Sequence, residues 1–246
     1  MTDFNEYSFF DGAAYGYDKN GNRTGVGNWT FRYDAFNRLV MVYSLAGIDT
    51  FEVHYKYDCD NRRRVKNVVN GGPVIDPSLS GTTHYYYSGW RVTEEYDFNG
   101  STESLEKQLV YGNYLDEVWA VDDVSGSTTV ADLNDGTGTE RVFALANTLY
   151  SVHGLSDESG NLVEAYEYDP YGQHTVINDG PDGDSIVNFG VDDVRTIDGK
   201  SSYGLENLYT GQRFDAETRL HYYKNRYYDS KMGRFLTRDP IGVWGD

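Results

Sequence analysis

The chain has 246 residues, 39% hydrophobic and 15% aromatic, with 23 Tyr against 11 Phe and 4 Trp. That length suffices for one large core or two small ones, and so many tyrosines favour half-buried surfaces, as strands provide, over one apolar centre. A net charge of −18 and a single cysteine argue against a nucleic-acid-binding surface and exclude an internal disulfide or a cysteine-based zinc site, and no apolar run reaches membrane-spanning length.

In chain order, "MTDFNEYSFF" lacks the basic and apolar regions of a signal peptide. A repeat follows: "YGYDKNGNRTG" from Tyr15, "FRYDAFNRLV" from Phe31 and "YKYDCDNRRRV" from Tyr55. Each copy reads Tyr-Asp, a short spacer ending in Asn, then Arg. The flanks carry strand residues and the middle carries turn chemistry, so the unit predicts a β-hairpin that needs its neighbours for stability. "EEYDFNGS" and "YEYDPYGQ" are degenerate copies, and the repeat tyrosines are expected to stack ring on ring across strands.

"HYYYSGWRVTEEYD" predicts two strand arms around Ser88-Gly89. Tyr85 and Tyr87 then face one side of the sheet and Tyr86 the other, with Trp90 stacked near one of these rings. Residues 108–123 and 148–172 predict two further hairpins. Short helical turns are expected only in "STESLEKQL" (residues 101–109) and "VFALANTL" (residues 142–149). Residues 124–141 read as a loop, and residues 177–202 as an acidic surface insertion in a sheet region spanning 1–204.

That insertion raises a calcium question. Asp179, Asp182, Asp184, Asn188, Asp192 and Asp193 offer the oxygen ligands calcium takes. Against it, the first spacing is off by one, Ser185 replaces the turn glycine, and no bidentate Glu follows. Calcium is therefore the one cofactor the sequence suggests, with an acidic solvated loop as the alternative. The five histidines fall in separate units, and none pairs with another at i+4. Cys59 sits in a turn between acids, which disfavours a nucleophilic thiolate. Residues 28–30 and 99–101 match glycosylation sequons but read as turns. Trp29, Trp90, Trp119 and Trp244 could stack on a glycan, which keeps a carbohydrate-binding surface protein as one alternative.

Charge is uneven. Residues 101–200 hold 20 Asp+Glu against 4 Lys+Arg, whereas residues 213–238 hold 7 Lys+Arg against 3 Asp+Glu. Mutual attraction is expected between the two regions.

The stretch "NLYTGQRFDAETRLHYYKNRYYDSKMGRFLTRDPIG" (residues 207–242) resembles the RHS repeat-associated core segment of bacterial YD-repeat proteins, and the Tyr-Asp units resemble that family's repeats. The resemblance implies an all-β fold, a continuous curved sheet forming part of a hollow shell, with residues 205–246 as a plug at its end. It implies a non-catalytic encapsulating scaffold, here with no toxin domain in the sequence. Its partners would be the remainder of an RHS polypeptide or a toxin cargo, at a secreted or cell-surface location, with self-association through sheet edges. It also places one aspartate of the family's self-cleavage site at Asp239, beside Arg238. The expected second Asp-Pro motif is missing, so a truncated self-cleaving carrier stands as the other alternative. Arg219 occupies a position where the family has Gly, and a relaxed turn is expected there.

Overall fold

The computed structural model describes residues 6–46, 49–69, 79–124, 140–180, 186–190 and 193–240. Among them there is no α-helix. Sixteen strands form one antiparallel sheet in which every strand pairs with its sequence neighbours. A short β1 (Phe9–Phe10) leads into the hairpins β2 (Ala13–Tyr17) with β3 (Arg23–Val26), β4 (Trp29–Tyr33) with β5 (Leu39–Ala46), and β6 (Asp49–Tyr57) with β7 (Arg63–Val69). Then come β8 (Gly81–Ser88) with β9 (Arg91–Phe98), β10 (Glu103–Tyr111) with β11 (Val118–Asp123), and β12 (Glu140–Ala146) with β13 (Val152–Ser156). The sheet ends with β14 (Leu162–Tyr168), β15 (His174–Asn178) and β16 (Val194–Ile197). A second sheet of four strands holds β17 (Arg213–Asp215), β18 (Leu220–Tyr223), β19 (Arg226–Asp229) and β20 (Arg234–Phe235).

The repeat has a clear physical logic. In each turn one carboxylate or amide oxygen accepts the backbone N–H two and four residues on: Asp18 from Asn20 and Asn22, Asp34 from Phe36 and Arg38, Asp58 from Asp60 and Arg62. Asn147, Asp157 and Asp169 repeat the pattern. The residue three after each of these is left-handed; Gly21, Asn37, Asn61, Gly160 and Gly172 suit that conformation, whereas Tyr150 adopts it at φ 64°.

In four units the tyrosine before the turn is a staple. Tyr33 donates to the carbonyl of Arg23, Tyr57 to Leu39, Tyr87 to Arg63 and Tyr168 to Val152, at 2.8, 2.6, 2.7 and 2.5 Å. Every acceptor is the first residue after the preceding turn. Arg38 stacks over Tyr57 and Arg62 over Tyr87. Tyr57 and Tyr87 therefore lie against arginines of the previous unit, not in the ring ladder expected from the sequence.

A β-bulge beside each tyrosine sets what points inward. The register shifts at Tyr33, Tyr57, Tyr87 and Tyr111, leaving Val40, Arg64, Thr93 and Trp119 as the extra residues. Residues three apart then share the buried face: Leu39 with Val42, Val118 with Val121, Val152 with Leu155. In one unit both positions are charged, Arg63 with Lys66, and in the next only the second is, Val92 with Glu95.

Tyr85 is buried, and Tyr87 packs on the same core. Tyr86 faces the other side with Tyr96 and Glu103, as alternation requires. Trp90 is 39% exposed and stacks on none of these rings. The short helical turns expected at residues 101–109 and 142–149 are strands β10 and β12 instead. Each is paired on both sides, and ladder pairing overrides weak local propensity.

The small sheet packs on the buried face of the large one. Leu220, Tyr222, Tyr227 and Leu236 join a core with Phe31, Val42 and Val53, while Leu205, Leu208 and Phe214 join another with Tyr85, Val121, Leu155 and Val176. Each fully buried side chain of this kind contributes about 1.5–3 kcal/mol. Tyr228 donates to the carbonyl of Tyr171, just before β15, and its neighbour Asp229 pairs with Arg23 of β3. In a flat sheet β3 and β15 would lie about 55–60 Å apart. Two adjacent residues reach both, so the sheet curls around the C-terminal segment.

Candidate functional site

The connections that follow β2, β4, β6, β8, β10, β12 and β14 lie on one rim, because an antiparallel meander alternates its turns between two edges. The C-terminal segment lies against this rim. Thr210 donates its N–H to Ser151, Lys224 pairs with Asp116 at 2.5 Å, and Tyr228 reaches Tyr171. Gly172 has φ 90° and leaves no room for a Cβ beside the Tyr209 ring, and Gly21 is crowded in the same way by Arg238. A backbone bond from Arg23 N–H to the Leu236 carbonyl at 2.8 Å adds to the seal. On the side of the opposite rim a cavity of about 550 Å³ remains, bordered by Gly81, Asp97, Glu106, Asp123, Lys200 and Glu217.

Between cap and sheet lies a buried charge network. Asp215, 0% exposed, accepts from Arg63 at 2.5 Å, from Lys66 at 3.3 Å and from the Tyr55 hydroxyl at 3.3 Å. Lys66 also pairs with Glu206 and Glu217, each at 3.3 Å. Arg213 bridges Glu95 and Glu206 at 2.5 Å each. The Arg63 guanidinium sits among the rings of Tyr55, Tyr85 and Tyr222 at 5.3, 5.0 and 4.5 Å, so weakly hydrated cation and ring faces share one dry space.

The network is nearly neutral. Arg63, Lys66, Arg213 and, at the edge, Lys107 at 3.9 Å from Glu95 face Glu95, Glu206, Asp215 and Glu217. Burial, opposed by Lys66 and aided by Asp215 and Glu206, pushes Glu217 up to about 7. Burial would also raise Glu206, but Lys66 and Arg213 overcome it and hold that carboxyl well below the usual range. Glu217 is thus the carboxyl of the network that takes up a proton most readily. Of the attraction expected between residues 101–200 and the basic tail, one pair is present, Asp116–Lys224; the other ties of the tail run to the N-terminal half of the sheet, as Glu95–Arg213 and, in the reverse polarity, Arg63–Asp215 and Arg23–Asp229.

The residues singled out from sequence lie elsewhere. Asp239 pairs with Arg226 at 3.1 Å and is 45% exposed, and Arg238 pairs with Glu6 at 3.3 Å. Asp179 follows β15 and Asp193 precedes β16, next to the last register pair Asn178–Val194. Asn188 accepts the Gly190 N–H. Asp182, Asp184 and Asp192 lie outside the described residues, as does Trp244. Among the described residues no group of three or more His, Cys, Asp or Glu is placed to hold a metal ion. Trp119 is 53% exposed, whereas Trp29 packs edge-on against Phe51. Arg219 has φ 57°, so the left-handed turn is kept rather than relaxed. No helix among the described residues is long and apolar enough to cross a membrane.

Sequence reasoning missed Arg63, Lys66, Glu95, Glu206, Asp215 and Glu217. For Arg63 and Lys66 the signal was available: charges at the first and fourth positions after a Tyr-Asp turn, where other units carry Val or Leu; nothing in the local sequence marked Glu95, Glu206, Asp215 or Glu217.

No family model matches the chain. It is similar to the tRNA nuclease WapA of Bacillus subtilis (strain 168), with 28% identity over 240 residues, 96% of this chain and 8% of that protein. It is similar to the double-stranded DNA deaminase toxin A of Burkholderia cenocepacia (strain H111), with 25% identity over 218 residues, 87% of this chain and 14% of that protein. Among solved structures, that of TcdB2-TccC3 matches with TM-score 0.63 and 19% identity over 93% of this chain and 10% of that one. The Photorhabdus luminescens Tc holotoxin pore carrying TccC3-D651A matches with TM-score 0.61 and 18% identity, again over 93% and 10%. The fold is that of the RHS shell of Tc toxins, and the sequence likenesses support an RHS-related protein. The chain spans 8% of the WapA proteins, so the activity in their names belongs to much longer molecules.

Proposed function

We propose that this chain is the capping end of an RHS-type β-shell, a non-catalytic scaffold in which residues 205–238 close one mouth of the curled sheet. The observation that supports this reading is the Arg63–Asp215–Lys66 junction. It ties the small sheet to the large one across 152 residues of sequence, with Arg63 and Asp215 sealed from solvent. These charges are paired with each other across the seam, which suits a structural junction. The partners are the remainder of an RHS polypeptide or the toxin cargo such a shell encloses, and the setting is secreted or at the cell surface. Asp239, paired with Arg226 beside the cap, then stands where the resemblance puts one aspartate of the family's self-cleavage site.

The test is a protease site inserted between Lys200 and Ser201. After cutting at pH 7.5, the 201–246 fragment should co-elute with the sheet in gel filtration. Asp215→Ala should release it. Separate elution of the unmutated fragment would refute the capping role.

A further inference from the structure

Two histidines are buried at the seam between cap and sheet. His221 belongs to β18 and His174 to β15, both are 0% exposed, and their rings lie 6.3 Å apart. Phe214 touches both rings, at 4.4 Å from His174 and 5.1 Å from His221, and Tyr209 and Tyr228 stand 6.3 Å from His221. His174 uses one nitrogen, Nε2, on the Gly199 carbonyl at 2.9 Å, and its Nδ1 has no partner. Neither ring nitrogen of His221 makes a well-formed hydrogen bond, although the Gly172 backbone lies near.

A neutral imidazole carries one N–H, whereas an imidazolium carries two and a charge. Among the described residues the pocket offers His221 no acceptor in good geometry and offers the second proton on His174 none. Two imidazolium rings side by side would also repel each other. We propose that His174 and His221 form an acid-sensitive latch: protonation of the pair expels β18 from its seat on β15 and frees the C-terminal cap from the rim.

Two carboxylates bear on the pair. Asp215 faces His221 and Asp198 faces His174, and both favour protonation, but Asp215 is already held by Arg63 and Lys66. Burial, reinforced by His174, pushes His221 down to about 3, and burial lowers His174. A histidine whose folded value lies below its unfolded value near 6.5 contributes stability above pH 6.5 and loses it as pH falls toward the folded value. Each histidine can weaken the seat by up to about tenfold per pH unit in that window. Glu217 and Glu164, both raised by burial, act in the opposite sense, so the comparison must hold them fixed.

The experiment is hydrogen exchange of the full chain at pH 7, 6 and 5, corrected for intrinsic rates, on the unmutated protein and on His174→Phe, His221→Phe and the double variant. In the unmutated chain, protection of residues 205–238 should fall at least about tenfold between pH 7 and 5 while β4–β7 stay protected. The double variant should lose less than half of that effect on a logarithmic scale. Equal loss in both, or no loss in the unmutated chain, overturns the latch. Should the variants fail to fold, ring-proton NMR of the unmutated chain decides. His221 titrating near pH 6.5 with the cap still protected overturns the proposal, and a neutral ring until the cap opens supports it. Capping at pH 7.5 is read separately by fragment co-elution, so the two claims can fail independently.

Discussion

Arg63 donates to Asp215 at 2.5 Å with side-chain exposures of 1% and 0%. One residue comes from a Tyr-Asp hairpin and the other from the C-terminal sheet. The pair therefore converts a repeat into a receptor for the cap. Removing one partner leaves a buried, uncompensated charge, which costs about 3–5 kcal/mol. Asp215→Ala and Arg63→Ala are each expected to lower stability by that amount in urea unfolding. A loss below about 1 kcal/mol would mean that water or a rearranged neighbour takes the partner's place.

The tyrosine staples make a second prediction. Tyr57→Phe and Tyr87→Phe each delete one hydroxyl that serves a carbonyl of the preceding unit, at 2.6 and 2.7 Å. Each should cost about 1 kcal/mol. Tyr86→Phe removes an exposed bond to Glu103 and should change stability by about 0.5 kcal/mol or less. Urea midpoints for the three variants check the order.

Glu217 predicts a pH slope. Its folded value of about 7 lies above the ordinary 4.5, so the folded chain holds this proton more tightly than the unfolded one. The stabilisation is complete below pH 4.5 and is lost as pH rises to about 7. Glu217→Gln mimics the protonated side chain. It should flatten the decline between pH 5 and 7.5 and leave the variant more stable than the parent at pH 8. A parallel pH profile would remove Glu217 from the network's charge balance.

Arg219 stands in a left-handed turn at φ 57° and is exposed. Arg219→Gly should therefore stabilise the chain by about 1 kcal/mol, since glycine adopts that conformation without a Cβ clash. Thermal melting of the variant reads it directly.

Much of the fold was legible because the turn chemistry is local. Asp58, Asn61 and Arg62 announce a hairpin whatever surrounds them, and Ser88-Gly89 does the same for the triple tyrosine. Tyr85 and Tyr86 fell on opposite faces because no bulge separates them. The interior was not legible, because each bulge resets the alternation. Strict period-two reading puts Arg63 with Val65, whereas the extra residue Arg64 puts Arg63 with Lys66. Residues 101–109 misled for another reason: Glu, Lys, Gln and Leu favour helix, yet β9 and β11 supply ladder partners on both sides. His174 and His221 looked unrelated because only the curl of the sheet brings them together.

The most direct measurement is a double-mutant cycle on Arg63 and Asp215, with Arg63→Ala, Asp215→Ala and the pair compared by urea unfolding at pH 7.5. Close, desolvated charge pairs couple by about 1.5–7 kcal/mol. A coupling of about 2 kcal/mol or more is expected if the C-terminal segment is seated in the curled sheet. A coupling below about 0.5 kcal/mol, with the two single losses simply adding, would contradict the seat and with it the capping role.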